Sequence, residues 1–110
     1  MIDISTHILD TARGLPAAGV NIQLQRLEHN TWQDVALVCT NKDGRAPELA
    51  QLKDLPAATY RLRFDTASYL QTQQQPVFYP WVEIVVELSQ GHYHIPLLLS
   101  PFGYSTYRGS

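Results

Sequence analysis

The sequence predicts an all-β domain, an antiparallel sandwich or barrel broken by a single short helix. Apolar and polar residues alternate with a period of two through most of the chain, the pattern of half-buried strands. Turn-forming clusters recur at intervals of roughly ten residues, the spacing of sandwiches and barrels. One segment alone departs from that rhythm. At 110 residues the chain is a single domain, long enough for one core.

The elements follow in order. The first strand alternates Ile2, Ile4, Thr6 and Ile8 on one face with Asp3, Ser5, His7 and Leu9 on the other. Val20, Ile22 and Leu24 alternate with Asn21, Gln23 and Gln25 in the next long strand. The polar stretch Glu28-His29-Asn30-Thr31 separates it from a run over Trp32 to Thr40, as a hairpin loop would. In that run Val35, Leu37 and Cys39 form an apolar row, so Cys39 is expected as a small buried hydrophobe. Asn41-Lys42-Asp43-Gly44 is a turn. Tyr60, Leu62 and Phe64 alternate with Arg61 and Arg63. Asp65 to Thr72 offers a capping residue and then helix-tolerant ones before Pro76, which predicts the helix. Val82, Ile84, Val86 and Leu88 alternate with Glu83 and Glu87. In the last long strand Tyr93, Ile95, Leu97 and Leu99 form a core row, leaving His92, His94, Pro96 and Leu98 facing away. Pro96 cannot donate to a ladder, which suits an edge or a bulge.

Composition narrows the function. The chain is 45% hydrophobic and 16% charged with a formal charge of -2, so nothing in it favours a phosphate backbone or an anionic membrane surface. One cysteine excludes an intrachain disulfide. No basic-then-apolar leader precedes the first strand, and no apolar run approaches the ~18 residues of a membrane span. The expectation is a cytoplasmic protein, with a processed periplasmic form left open.

Each end of the chain carries a His on the face opposite its core row, with Leu close by. Such a face suits burial against another subunit. If the first and last strands are neighbours, His7, His94 and the tail Tyr107-Arg108-Gly109-Ser110 converge. Two imidazoles beside an Arg form a metal-free hydrolytic site: a neutral His takes a proton from water, and Arg holds an anionic or carbonyl-rich substrate. Two competing readings use the same residues. His92 and His94 with His7 could ligate zinc, though neither Cys nor a carboxylate pair supports it. Ser100 or Ser105 with His94 and Asp10 or Asp43 could make a triad, though no nucleophile elbow is present. His29 is an ordinary loop residue; Arg45 by itself is a loop charge, and Tyr104 an ordinary aromatic.

Three blocks then agree: STHILDTARGLPAAGV (Ser5 to Val20), NKDGR (Asn41 to Arg45) and HYHIPLLLSPFGYSTYRGS (His92 to Ser110), with Phe78-Tyr79-Pro80 in frame. Together they resemble the 5-hydroxyisourate hydrolase branch of the transthyretin family over nearly the whole chain. The resemblance implies a transthyretin-like sandwich of two four-stranded sheets with one short helix. It implies a homotetramer with sites where two dimers meet, and neither metal nor cofactor. It implies hydrolysis of 5-hydroxyisourate to 2-oxo-4-hydroxy-4-carboxy-5-ureidoimidazoline in urate breakdown. The matching positions make His7, Arg45 and His94 catalytic, and Tyr107, Arg108, Gly109 and Ser110 substrate-binding. Phe102, where the family often has Tyr, and Trp81, where a smaller or acidic residue is common, depart from the pattern outside the chemistry. A carrier of a small aromatic ligand in the tetramer channel is the alternative, but it has no need of two facing imidazoles. An Ig-like structural module would not require a His on each terminal strand.

Overall fold

The computed structural model describes residues 2–109. The strands are β1 (Ile2–Ser5), β2 (Ile8–Asp10), β3 (Leu15–Pro16), β4 (Asn21–Glu28), β5 (Thr31–Cys39), β6 (Ala58–Phe64), β7 (Val82–Leu88), β8 (Gly91–His94), β9 (Leu97–Ser100) and β10 (Gly103–Thr106). Two helices interrupt them, α1 (Pro47–Ala50) and α2 (Thr66–Thr72). One four-stranded sheet has the order β5-β4-β6-β7 and is antiparallel throughout. The other has the order β10-β9-β2-β3, and the pair β1-β8 extends its middle. This is the sandwich that the alternation predicts.

The core lies between the two layers. Ile22, Leu24, Leu62, Phe64 and Val82 from one sheet meet Ile2, Ile4, Ile8, Leu97 and Leu99 from the other, all buried. Each follows the period of two, so every buried side chain leaves its neighbour on the outer face.

The first and last strands run parallel, β1 with β8 and β2 with β9, inside an otherwise antiparallel fold. They are really two long strands, each interrupted once, at Thr6-His7 and at Ile95-Pro96. The ladder survives the interruption: the Ile95 N–H donates to Ser5 O at 2.8 Å and the Leu97 N–H to His7 O at 3.0 Å. Residue 96 points its nitrogen the other way along the strand, so a proline there removes no bond to the first strand. Pro96 is buried rather than outward-facing, and Thr106 Oγ1 donates to its carbonyl at 2.7 Å.

Helix α2 begins where the sequence predicts. Asp65 caps it, accepting from the Ser68 N–H at 3.2 Å and from the Ser68 hydroxyl at 2.8 Å. Its buried Tyr69 donates to Asp10 Oδ2 at 2.7 Å, which pins the helix to the end of β2. Burial and this carboxylate raise the Tyr69 pKa above its ordinary value.

Three further details differ from expectation. The β4–β5 loop is a two-residue turn, with His29 and Asn30 both at positive φ (52° and 61°), the turn geometry that matches strand twist. Cys39 is exposed. Ala36 and Val38 stand opposite the core residues Leu24 and Ile22, so Leu37 and Cys39 point outward. Val35 is the extra residue of a bulge at Leu24/Gln25, which is how it rejoins the core beside Ala36. Both rows of that strand are apolar, so alternation alone did not say which faces in. Finally, α1 is a single turn with Pro47 at its start and Leu49 fully buried.

Candidate active site

The interruption of the first strand at Thr6-His7 is what places the first imidazole. His7 forms an isolated antiparallel bridge with Arg45. The Ile8 N–H donates to Gly44 O at 2.8 Å, so the turn after β5 lies directly against the first strand. Gly44 has φ +74°, and a Cβ there would stand 2.5 Å from Ile8 O. Only glycine tolerates both the conformation and the approach. Asn41 Oδ1 accepts from the N–H groups of Asp43 and Arg45 at 2.9 and 3.1 Å, closing the turn that presents Arg45.

His94 arrives from the opposite end of the chain. It ends β8, in register with Ser5 of β1. Its Nδ1 lies 2.8 Å from Ser5 Oγ, and the same hydroxyl lies 3.2 Å from His92 Nε2. The tail folds back over it, the Gly109 N–H donating to His94 O at 2.8 Å. A Cβ on Gly109 would stand 2.5 Å from His94 Cδ2, so the tail needs glycine to pass this ring.

Burial lowers the pKa of His94 from its ordinary value, and electrostatic coupling to Arg45, His7 and His92 lowers it further. A half-buried, neutral imidazole beside an exposed guanidinium is equipped to take a proton from water while the guanidinium holds an electron-rich oxygen.

Of the residues expected at the site, His7, Arg45, His94 and Gly109 are brought together. Tyr107 and Arg108 take the other side of the last strand. The Arg108 guanidinium lies 4.6 Å over the ring of Tyr93, whose side chain turns inward where His94 turns outward. Tyr107, Arg108 and Tyr93 line a groove of about 320 Å³ along β7. The Tyr93 hydroxyl accepts from the N–H groups of Ser89 and Gln90 at 3.2 and 3.3 Å. The hydrogen bond with the Ser89 side chain contributes most, and with these two it lowers the Tyr93 pKa to about 8. Ser110 lies outside the described residues.

The competing readings find no assembled site. Asp10 is buried and bonded to Tyr69, and the Ser100 hydroxyl donates to Gly103 O at 3.0 Å. Among the described residues no group of three or more His, Cys, Asp or Glu side chains could hold a metal ion. Ser5 is the site residue that sequence reasoning left without a role. Alternation put it on the face of His7, but only the parallel register sets it against His94.

The HIUase/Transthyretin family matches residues 4–109. The chain is 45% identical over 111 residues to the 5-hydroxyisourate hydrolase of Mus musculus, covering 97% of this chain and 94% of that one. The structure of Klebsiella pneumoniae 5-hydroxyisourate hydrolase is similar with a TM-score of 0.87 and 35% identity, covering 100% of both chains. Sea bream transthyretin in complex with thyroxine is similar with a TM-score of 0.91 and 32% identity, over 96% of this chain and 93% of that one. Fold likeness extends to a hydrolase and to a thyroxine-bound transthyretin alike, and the match runs across both interrupted strands and the tail: the chain belongs to the HIUase/Transthyretin family.

Proposed function

We propose that this protein, a hydrolase of its family, opens the ring of 5-hydroxyisourate to 2-oxo-4-hydroxy-4-carboxy-5-ureidoimidazoline. The observation that carries the reading is the convergence of His7, Arg45 and His94 from three distant stretches of chain, with His94 held neutral. The hydrolase relatives support it. Water attacks a ring carbonyl, forming the new C–O bond, and its proton passes to an imidazole. The ring C–N bond then breaks, and the same proton goes to the leaving nitrogen. Arg45 stabilises the charge that gathers on the carbonyl oxygen. Gly109 lets the tail close over His94.

The working unit is a homotetramer with its sites at the dimer–dimer interface. His7, Leu9, His94 and Leu98 all sit half-buried on one outward face, which a second copy would cover into a closed site. A carrier channel would place no premium on a neutral imidazole beside a guanidinium. The test is to generate 5-hydroxyisourate in place from urate with urate oxidase and follow its loss by ultraviolet absorbance. The product is then identified by carbon NMR. Loss faster than the spontaneous rate, giving the ring-opened carboxylate, is expected. A folded protein that leaves the spontaneous rate unchanged but binds aromatic ligands would make it a carrier.

A further inference from the structure

We propose that Ser5 and His92 form a positioning pair that fixes the tautomer of His94, leaving its Nε2 bare and directed at the attacking water. The inference rests on the hydrolase reading for its purpose, and on hydrogen-bond arithmetic for its content. Ser5 Oγ lies between two ring nitrogens, 2.8 Å from His94 Nδ1 and 3.2 Å from His92 Nε2. A hydroxyl has one proton to give and lone pairs to receive. If it bonds to both rings, it donates to one and accepts from the other. The direction of one bond therefore sets the direction of the other.

Two arrangements are available. In the first, Ser5 donates to His92 Nε2 and accepts the Nδ1 proton of His94, so His94 Nε2 carries a lone pair. In the second, Ser5 donates to His94 Nδ1, and His94 must then hold its proton on Nε2, where it cannot act as a base. The proposed reaction requires the first. When His94 takes a proton from water on Nε2, the new imidazolium keeps its Nδ1–H bond to Ser5, and no hydrogen bond has to reverse. Ser5, backed by the His92 lone pair, acts here as a neutral counterpart of the carboxylate that orients histidine in hydrolase triads. It holds the ring and accepts from it without taking its proton.

The surroundings agree. Ser5 and His94 are half-buried, and His92 is exposed at the outer end of the chain of bonds. Asp3 stands in register with His92 on the same face, while Arg45 and His7 are near enough for their charges to act on His94. His92 thus has a place beyond its reading as half of a metal motif.

The tautomer can be read without substrate. With nitrogen-15 in the imidazole rings, and His94 assigned by difference against His94→Ala, NMR of the wild-type protein is expected to show the His94 proton on Nδ1. Ser5→Ala should move it towards Nε2 and lower kcat about 10- to 100-fold while KM stays within about twofold. Ser5→Thr, which restores the hydroxyl in a residue suited to strands, should recover both. His92→Ala, on an exposed residue whose loss leaves the fold intact, should release the tautomer in part and lower kcat severalfold. A wild-type His94 with its proton on Nε2, or Ser5→Ala with wild-type kcat, overturns the positioning pair. Failure of the hydrolase reading is separate: it appears as a wild-type protein that does not accelerate 5-hydroxyisourate loss, whatever the tautomer.

Discussion

His94 combines a structural and a chemical position. Its backbone carbonyl holds Gly109, its Nδ1 meets Ser5, and its pKa is lowered by burial, with Arg45, His7 and His92 adding to the effect. A lowered pKa keeps the ring neutral, and so competent as a base, as pH falls through the ordinary imidazole value of 6.5. The acid limb of kcat/KM should therefore fall below pH 6.5, and a limb centred above it would contradict the assignment. Gly109→Ala tests the tail. Its Cβ would stand 2.5 Å from His94 Cδ2, so the tail must lift or the ring must turn, and kcat should drop while Tm barely changes. These residues were legible in the sequence as types on faces: alternation put His7 and His94 outward, and the motif match named Arg45 and the tail. What alternation could not supply was the other side of each contact. The packing of Arg108 on Tyr93 and the bridging by Ser5 depend on which strand lies beside which, and no local pattern encodes that.

At the scale of elements, two devices bring distant segments to the interrupted strands. The first is the Asn41–Arg45 turn, seated on Ile8 through Gly44. Gly44→Ala would force an L side chain into φ +74° and against Ile8 O, at a cost of about 1–3 kcal/mol. Thermal unfolding should show the loss, and activity should fall further than stability alone accounts for, because Arg45 is displaced from His7. The second is the bond from Tyr69 to Asp10, which ties α2 to β2. Tyr69→Phe leaves a buried carboxylate short of a donor and should cost about 1–3 kcal/mol by denaturant titration, with kcat unaltered. The helix was readable because Asp65 is a strong cap ahead of tolerant residues. The Cys39 face was not, because both rows of β5 are apolar and the bulge at Val35 decides between them. The parallel run of the first and last strands was equally hidden: a strand's alternation is the same whichever way its neighbour runs.

At the scale of the whole molecule, the single chain leaves its chemistry on an open face and several aromatics in solvent. Phe78, Phe102, Tyr104 and Tyr107 are exposed, and Phe78 contacts both Tyr79 and Phe102. Sedimentation should report a tetramer, and Phe102→Asp should weaken assembly and activity together; a fully active monomer would show that one chain suffices. The account's central claim is narrower than assembly: His7 and His94 carry the hydrolysis. It is tested most directly by turnover of 5-hydroxyisourate by the wild-type protein, His7→Ala and His94→Ala. All three would be compared at equal concentration after circular dichroism and sedimentation have matched them. The account predicts a kcat at least about 100-fold lower in either variant, the scale of a lost acid–base group. Either variant turning over at the wild-type rate in an intact assembly would contradict it.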